Sequence, residues 1–333
     1  MSNLKLKVAC YEYDRVRALF DGTVKFNGVD ASFESALILS ELFERMIRDR
    51  KFDISELGMT YYLRTLDFDD PPFIAIPVFP NRVFRHSAIY VNAASGIKKP
   101  QDLAGKAVGE FAFYGHDAGV WAKGILSDDY GVTPDQCHWI VGGLDWPLKP
   151  VDFIPHPHPA NVDVTLAPPG KDLGSMLEAG EISALISGSV PKCVLNNSAK
   201  VARLFPDYKS VERGYYQRTG IFPIMHTVVI RRDLPAQQLD LARTIYRGFC
   251  AAKDGAMENY RKGLIFNNLA NMLPWFSHLI DEDRRVLGED WWPYGMEANR
   301  KAVEAFLRYH FEQGLSKRRL TCEDIFVPEL LTT

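Results

Sequence analysis

Arg82, Arg85 and His86 stand close together in the stretch FPNRVFRHSAIYVN, residues 79–92, just ahead of an apolar run with strand character. A guanidinium is planar, stays charged and can give two hydrogen bonds to one carboxylate, and an imidazole titrates near neutral pH. Three such groups together suit an anionic small molecule. The plainer reading pairs an arginine with an acidic residue of the protein and leaves His86 as a structural histidine bonded to backbone.

Other stretches carry comparable chemistry. FAFYGHDAG follows a predicted strand and opens a predicted helix, so free N–H groups would face an anion there, with Gly115 permitting close approach and His116 and Asp117 as donor and orienting partner. Simple capping by Asp117 explains the same residues. SELGMTYY places Ser55, Glu56 and Tyr61 at the carboxyl end of a predicted strand, where ligands of open α/β sheets sit, and Tyr11 and Asp14 are similarly placed. Ser187, Gly188 and Ser189 follow another strand and offer small donors. The His156 and His158 pair of PHPHP lies in a proline loop with no further ligand at metal-site spacing.

The elements that must position these groups alternate. Leu4 to Cys10 reads as a strand, Tyr13 to Phe20 as a helix, residues 23–35 hold a second strand, and Leu39, Leu42, Phe43, Met46 and Ile47 share one helical face before the strand DISELGMT. This βαβ wiring favours a parallel sheet covered by helices. HSAIYVN, KAVGEF, CHWIVGG and ALISG predict further strands, and a helix is predicted from near Tyr114 to a stop at Gly131. Beyond the strand HTVVIRR, at 226–232, the pattern is helical.

Composition narrows the partners. The formal charge of −3 offers no general attraction to nucleic acid or anionic membranes, which leaves small molecules and proteins. The five cysteines are scattered without metal-ligand spacing and read as reduced core residues. The first residues lack the apolar core of a signal peptide and no apolar run reaches membrane-spanning length, so a cytoplasmic protein is expected. WWPYGMEANR could bury its rings between subunits, and a homo-oligomer is expected. P-loop, dinucleotide, G-x-S-x-G and HExxH motifs are absent, which removes the usual sequence support for phosphoryl, hydride, serine-esterase and zinc-protease chemistry.

Two groups of phrases carry a resemblance. SGIKKPQDLAGKAVGEF and MLEAGEISALISG resemble the type II periplasmic-binding-protein fold, in which the chain crosses twice between two α/β lobes. FRHSAIYVN, VWAKGILSDDYGV, LFPDY, TGIFPIMHTVVIRR and PYGMEANR together resemble the 4,5-dihydroxyphthalate decarboxylase family, over nearly the whole chain. The resemblance implies an α/β, two-lobed fold with a central cleft. Lobe one would comprise residues 1–86 and 226–333, with the C-terminal helices packed on it, and lobe two residues 87–225. It also implies conversion of 4,5-dihydroxyphthalate to protocatechuate and CO2, a step of phthalate degradation.

On that fold the two crossings bring Arg82, Arg85 and His86 near His226, in an inter-lobe cleft of the kind that holds small ligands. The expected substrate-binding set is Arg82, Arg85, Ser187, His226 and Tyr114, with the arginines clamping the carboxylate that stays. Protonation of the ring carbon that loses its carboxylate is the expected route, with His86 or His116 as acid and Glu56 as partner of the phenol. No cofactor is obligatory. The alternative is a divalent metal, held by His86, His226 and Glu56, that binds the catechol oxygens. Two further readings stay open: a solute-binding protein for an aromatic acid, without catalysis, and a decarboxylase of a related hydroxylated aromatic acid. A regulatory ligand-binding domain is disfavoured, since no helix-turn-helix segment is left over.

Overall fold

The computed structural model describes residues 4–148, 151–234, 240–267 and 271–333. Strand β1 (Leu4–Ala9) alternates as its sequence does, with Leu6 and Val8 buried and Lys5 and Lys7 exposed. After the short helix α1 (Arg17–Phe20), strand β2 (Val29–Glu34) pairs parallel to β1. Helix α2 (Leu39–Asp49) buries Leu42, Phe43, Met46 and Ile47, the face that its spacing predicts, and ends on Arg50 in the left-handed region. Strand β3 (Ile54–Gly58) then runs parallel to β1 and leads directly into helix α3 (Met59–Thr65). Every residue of α3 is buried, so no polar stripe marks it in the sequence. Strand β4 (Phe73–Ile76) completes this part of the chain.

The second sheet contains β5 (Ile89–Asn92), β6 (Ala107–Phe111), β7 (His138–Gly142), β8 (Asp163–Leu166), β9 (Ala184–Ile186) and β10 (Val201–Arg203), in the order β10-β5-β9-β6-β7-β8. Between them lie α4 (Asp117–Tyr130), α5 (Leu173–Ala179) and α6 (Lys192–Leu195). Helix α4 begins at Asp117 rather than near Tyr114, which falls in the preceding turn, and Gly131 ends it with φ 68°. Helix α7 (Tyr208–Thr219) precedes β11 (His226–Arg231), which returns to the first sheet and inserts antiparallel between β3 and β4. That sheet is therefore ordered β2-β1-β3-β11-β4.

The chain passes between the sheets twice, at 77–88 and 204–225, and the two passages meet in an antiparallel bridge of Arg82 with Ile224. Backbone bonds from Val83 N to Pro223 O (3.2 Å) and from Met225 N to Asn81 O (2.9 Å) tie them together. The remaining helices are α8 (Leu241–Phe266), α9 (Phe276–Leu287), α10 (Arg300–Glu312) and α11 (Cys322–Ile325). Helix α8 packs on α1, and Phe326 bridges to Ala75 of β4, so the chain end returns to the first sheet. Helix α10 also lies across α4 of lobe two, where Phe306 and Tyr309 pack on Trp121 with ring centroids 5.7 Å apart. No helix among the described residues is long and apolar enough to cross a membrane.

Candidate active site

The end of β3 and the start of β11 bring Glu56 and His226 together. Glu56 is fully buried and its Oε1 accepts from His226 Nδ1 at 2.6 Å and from the Tyr13 hydroxyl at 2.9 Å. Its Oε2 accepts from Tyr11 N at 2.9 Å and from Cys10 Sγ at 3.2 Å. Burial alone would raise this carboxyl; the bond and charge of His226, with the Tyr11 N–H and the Cys10 thiol, hold it below its ordinary value. His226 Nδ1 faces this carboxylate, and its Nε2 makes no hydrogen bond among the described residues. The Phe43 ring meets the imidazole edge-on at 5.3 Å.

The turn 112–116 faces this pair from lobe two. Ala112 has φ 67° and Gly115 φ 80°, both in the left-handed region, and a Cβ on Gly115 would also meet Arg64 Nη2 at 2.7 Å. Beneath the turn, Glu110 accepts from Gly115 N at 3.0 Å and forms a fully buried ion pair of 2.5 Å with Lys123. Burial pushes Glu110 up and Lys123 down, and their contact opposes both shifts. A Cβ on Gly119 would sit 1.7 Å from Glu110 Oε1, so only glycine lets the first turn of α4 rest on this carboxylate.

Helix α3 of lobe one grips the same turn. Thr60 Oγ1 donates to Gly115 O at 2.8 Å and Thr60 N to Asp117 Oδ1 at 2.7 Å. The guanidinium of Arg64 donates to Tyr114 O (2.8 Å) and Pro155 O (2.7 Å) and lies over the Phe113 ring. The two lobes are thus in direct contact here. His116 packs against Phe111 and Phe113 and beside Gly188, and its Nδ1 is buried without a partner among the described residues. Burial first, then Arg85 and His226, lower it to about 3, so it is neutral at pH 7.

The clustered cations of the first crossing part company. Arg85 turns its Nε to Met225 Sδ at 3.1 Å, and its two terminal nitrogens hold no hydrogen-bond partner among the described residues. Burial lowers it to about 10, opposed by Asp117, Tyr90 and Glu212. Arg82 is spent within the protein: it donates to Phe222 O (3.3 Å), Pro293 O (2.9 Å) and Asn299 Oδ1. His86 lies between Phe205 and Tyr215, each 5.3 Å away, and both its nitrogens are buried without partners among the described residues. Burial depresses it to about 4, and the charges that act on it are Asp129 and Arg218 rather than the Glu56 pair.

Tyr114 points into lobe two, its ring 4.0 Å from Lys123 Nζ and facing Trp139. Ser187 accepts from Ser189 N at 3.1 Å, in the loop that also places Gly188 against His116. His156 bonds Arg64 at 3.0 Å, a structural use of one histidine of PHPHP. Trp292 is used inside the chain, donating to Phe79 O at 3.0 Å and packing on Phe222. The metal set of His86, His226 and Glu56 does not fit, because His86 lies apart and both oxygens of Glu56 are taken. No three His, Cys, Asp or Glu side chains come together as metal ligands among the described residues. Arg64 and Thr60 were not singled out by sequence, since what distinguishes them is contact with a turn about 50 residues away.

No protein-family model matches the chain. The 4,5-dihydroxyphthalate decarboxylase of Comamonas testosteroni is 34% identical over 337 residues, covering 99% of this chain and 98% of the relative. A Pseudomonas putida protein of the same name is 35% identical over 217 residues, 65% of this chain and 83% of the relative. Among solved structures, the periplasmic sulfonate-binding protein SsuA of Methylobacillus flagellatus superposes with a TM-score of 0.56 at 14% identity, covering 99% of this chain and 93% of the other. The alkanesulfonate-binding SsuA of Xanthomonas axonopodis gives 0.54 at 12% identity, with 98% of each chain covered. These structures show the fold, two-lobed and periplasmic-binding-protein-like, and by its sequence relatives the chain belongs to the 4,5-dihydroxyphthalate decarboxylase family.

Proposed function

We propose that this chain is a carboxy-lyase that removes one carboxylate from 4,5-dihydroxyphthalate, giving protocatechuate and CO2 as a step of phthalate degradation. Its relatives of that name support the substrate. The observation that carries the chemistry is the Glu56–His226 pair at the lobe junction together with Arg85, whose Nε bonds Met225, the residue before His226, and whose terminal nitrogens hold no hydrogen-bond partner among the described residues.

Direct loss of CO2 would leave an aryl anion whose electron pair lies in the ring plane, out of conjugation. Protonating the ring carbon that bears the carboxylate avoids this, because the hydroxyl para to it can release its proton and push electrons into the ring. His226 Nε2 takes that proton, and Glu56, held by four donors, fixes the imidazole and stabilises its charged form. Glu56 therefore works through His226 rather than on the phenol. Arg85 and the free N–H groups of the first turn of α4 receive the carboxylate that stays. Arg82 and His86 leave the proposed set, and neutral His116 is a poor acid but a fitting neighbour for the ring.

The test is incubation of purified protein with 4,5-dihydroxyphthalate, following CO2 and protocatechuate, with a chelator-treated sample alongside. Equal amounts of both products, unaffected by chelation, are expected. Tight binding with unaltered ligand would make the chain a solute-binding protein, and a loss on chelation that added metal restores would overturn the metal-free mechanism.

A further inference from the structure

Decarboxylation of an arene carboxylate consumes one proton for each CO2 released, so a group in the site must be loaded with a proton before the ring is attacked. Asp117 is a carboxyl built for this. It is 1% exposed; Oδ1 accepts from Thr60 N of lobe one, whereas Oδ2 is buried with no partner among the described residues. That orphan oxygen lies against Gly58, where a Cβ would be only 2.4 Å away, and Gly58 is the register partner of His226. Both neighbours that enclose the carboxyl, Thr60 and Gly58, belong to the opposite lobe. A buried ionised oxygen without a donor is costly, whereas the neutral acid is not.

We propose that Asp117 is the proton donor to the ring carbon, and that closure of the two lobes over it loads it with that proton. The inference rests on the decarboxylase reading above. Burial raises Asp117 to about 6, opposed by His226 of β11, the Thr60 N–H, Arg85 of the first crossing and Arg64 of α3. Tyr61 of α3 and His116, which precedes Asp117 at the start of α4, are the other titratable groups beside it.

In the step, the Asp117 O–H bond breaks and a C–H bond forms at the carbon bearing the departing carboxylate. The para hydroxyl passes its proton to His226 Nε2, and the ring becomes a dienone. The bond to the carboxylate then breaks, its electron pair restores the aromatic ring, CO2 leaves, and His226 returns its proton to the oxygen. Asp117 remains as carboxylate and is reprotonated from water when the lobes part.

The experiment compares wild type with Asp117→Asn and Asp117→Glu. Asp117→Asn should lower kcat at least about 100-fold while KM stays within about threefold, as loss of a group acting only in the transition state requires. Wild-type kcat should fall as pH rises above the pKa of the acid, and Asp117→Glu should keep that limb at a reduced rate. Calorimetry of phthalate binding, in buffers of different ionisation enthalpy, should show more proton uptake near pH 5 by wild type than by Asp117→Asn. Asp117→Asn with wild-type kcat, or wild type without proton uptake near pH 5, would overturn the assignment of Asp117 and leave the decarboxylase reading intact. Absence of protocatechuate from wild type would remove the decarboxylase reading itself. The uptake by wild type needs no variant, so it tests the proposal even where Asp117→Asn fails to fold.

Discussion

Glu56 Oε1 lies 2.6 Å from His226 Nδ1, across the neighbouring antiparallel strands β3 and β11, which precede and follow the second sheet in the chain. The carboxylate is held by three other donors, so the imidazole cannot turn without breaking a buried network. Glu56→Gln should reduce kcat by about 100-fold or more with a smaller change in KM, since an amide cannot stabilise the charged ring or fix the same tautomer. Steady-state kinetics on the folded variant would show it, and a wild-type kcat would place His226 outside proton transfer.

The neighbours Arg82 and Arg85 should respond to substitution in opposite ways. Arg85→Ala removes a cation whose terminal nitrogens hold no partner among the described residues and should cut kcat/KM about 100-fold or more, while thermal stability changes little. Arg82→Ala breaks bonds to Phe222 O, Pro293 O and Asn299 and should lower Tm by several degrees while kcat/KM of the folded fraction stays within about threefold. A reversed pattern would return Arg82 to the substrate.

Lys123 and Glu110 form a buried ion pair beneath the turn that carries His116 and Asp117. Lys123→Met leaves Glu110 buried without its cation and should destabilise the fold by about 3–5 kcal/mol. The double change Glu110→Gln with Lys123→Met should recover part of that loss in denaturant unfolding, because no unpaired charge remains. Equal losses in the single and double variants would show that the pair's role is not electrostatic.

His86 makes a prediction about acid. Its folded pKa of about 4 lies below the ordinary value of 6.5, so the unfolded chain binds more protons between those values and stability falls as pH drops through that window. The shift corresponds to on the order of 3 kcal/mol at pH 4, and His86→Phe should flatten this part of the stability profile. The variant should keep kcat/KM within a few fold. A collapse of kcat would restore His86 as the acid.

Local pattern carried much of the architecture. The alternation of Leu4–Ala9, the apolar face of Leu39–Asp49 and the stop at Gly131 are short-range signals, and each appears in the structure where its periodicity or turn chemistry places it. The start of α4 is displaced from Tyr114 to Asp117 because Glu110, Thr60 and Arg64 hold the intervening residues as a turn. HTVVIRR forms a strand as its β-branched run predicts, and its insertion between β3 and β4 of the first sheet is a long-range pairing that no local pattern in the run encodes.

Residue type and spacing by themselves determined that two arginines and a histidine gather in FPNRVFRH and that a histidine and a carboxyl stand at the start of one helix. Tertiary contact alone decided which of them is free. Arg82 and Arg85 read alike in FPNRVFRH, yet Arg82 meets Pro293 and Asn299, more than 200 residues away in sequence, and the terminal nitrogens of Arg85 meet no acceptor among the described residues. Likewise Asp117 is an ordinary helix-opening aspartate until Gly58 and Thr60 of the other lobe exclude water from it. Desolvation and hydrogen-bond satisfaction depend on what surrounds a side chain in space, and that is written in long-range packing rather than in any local run of sequence.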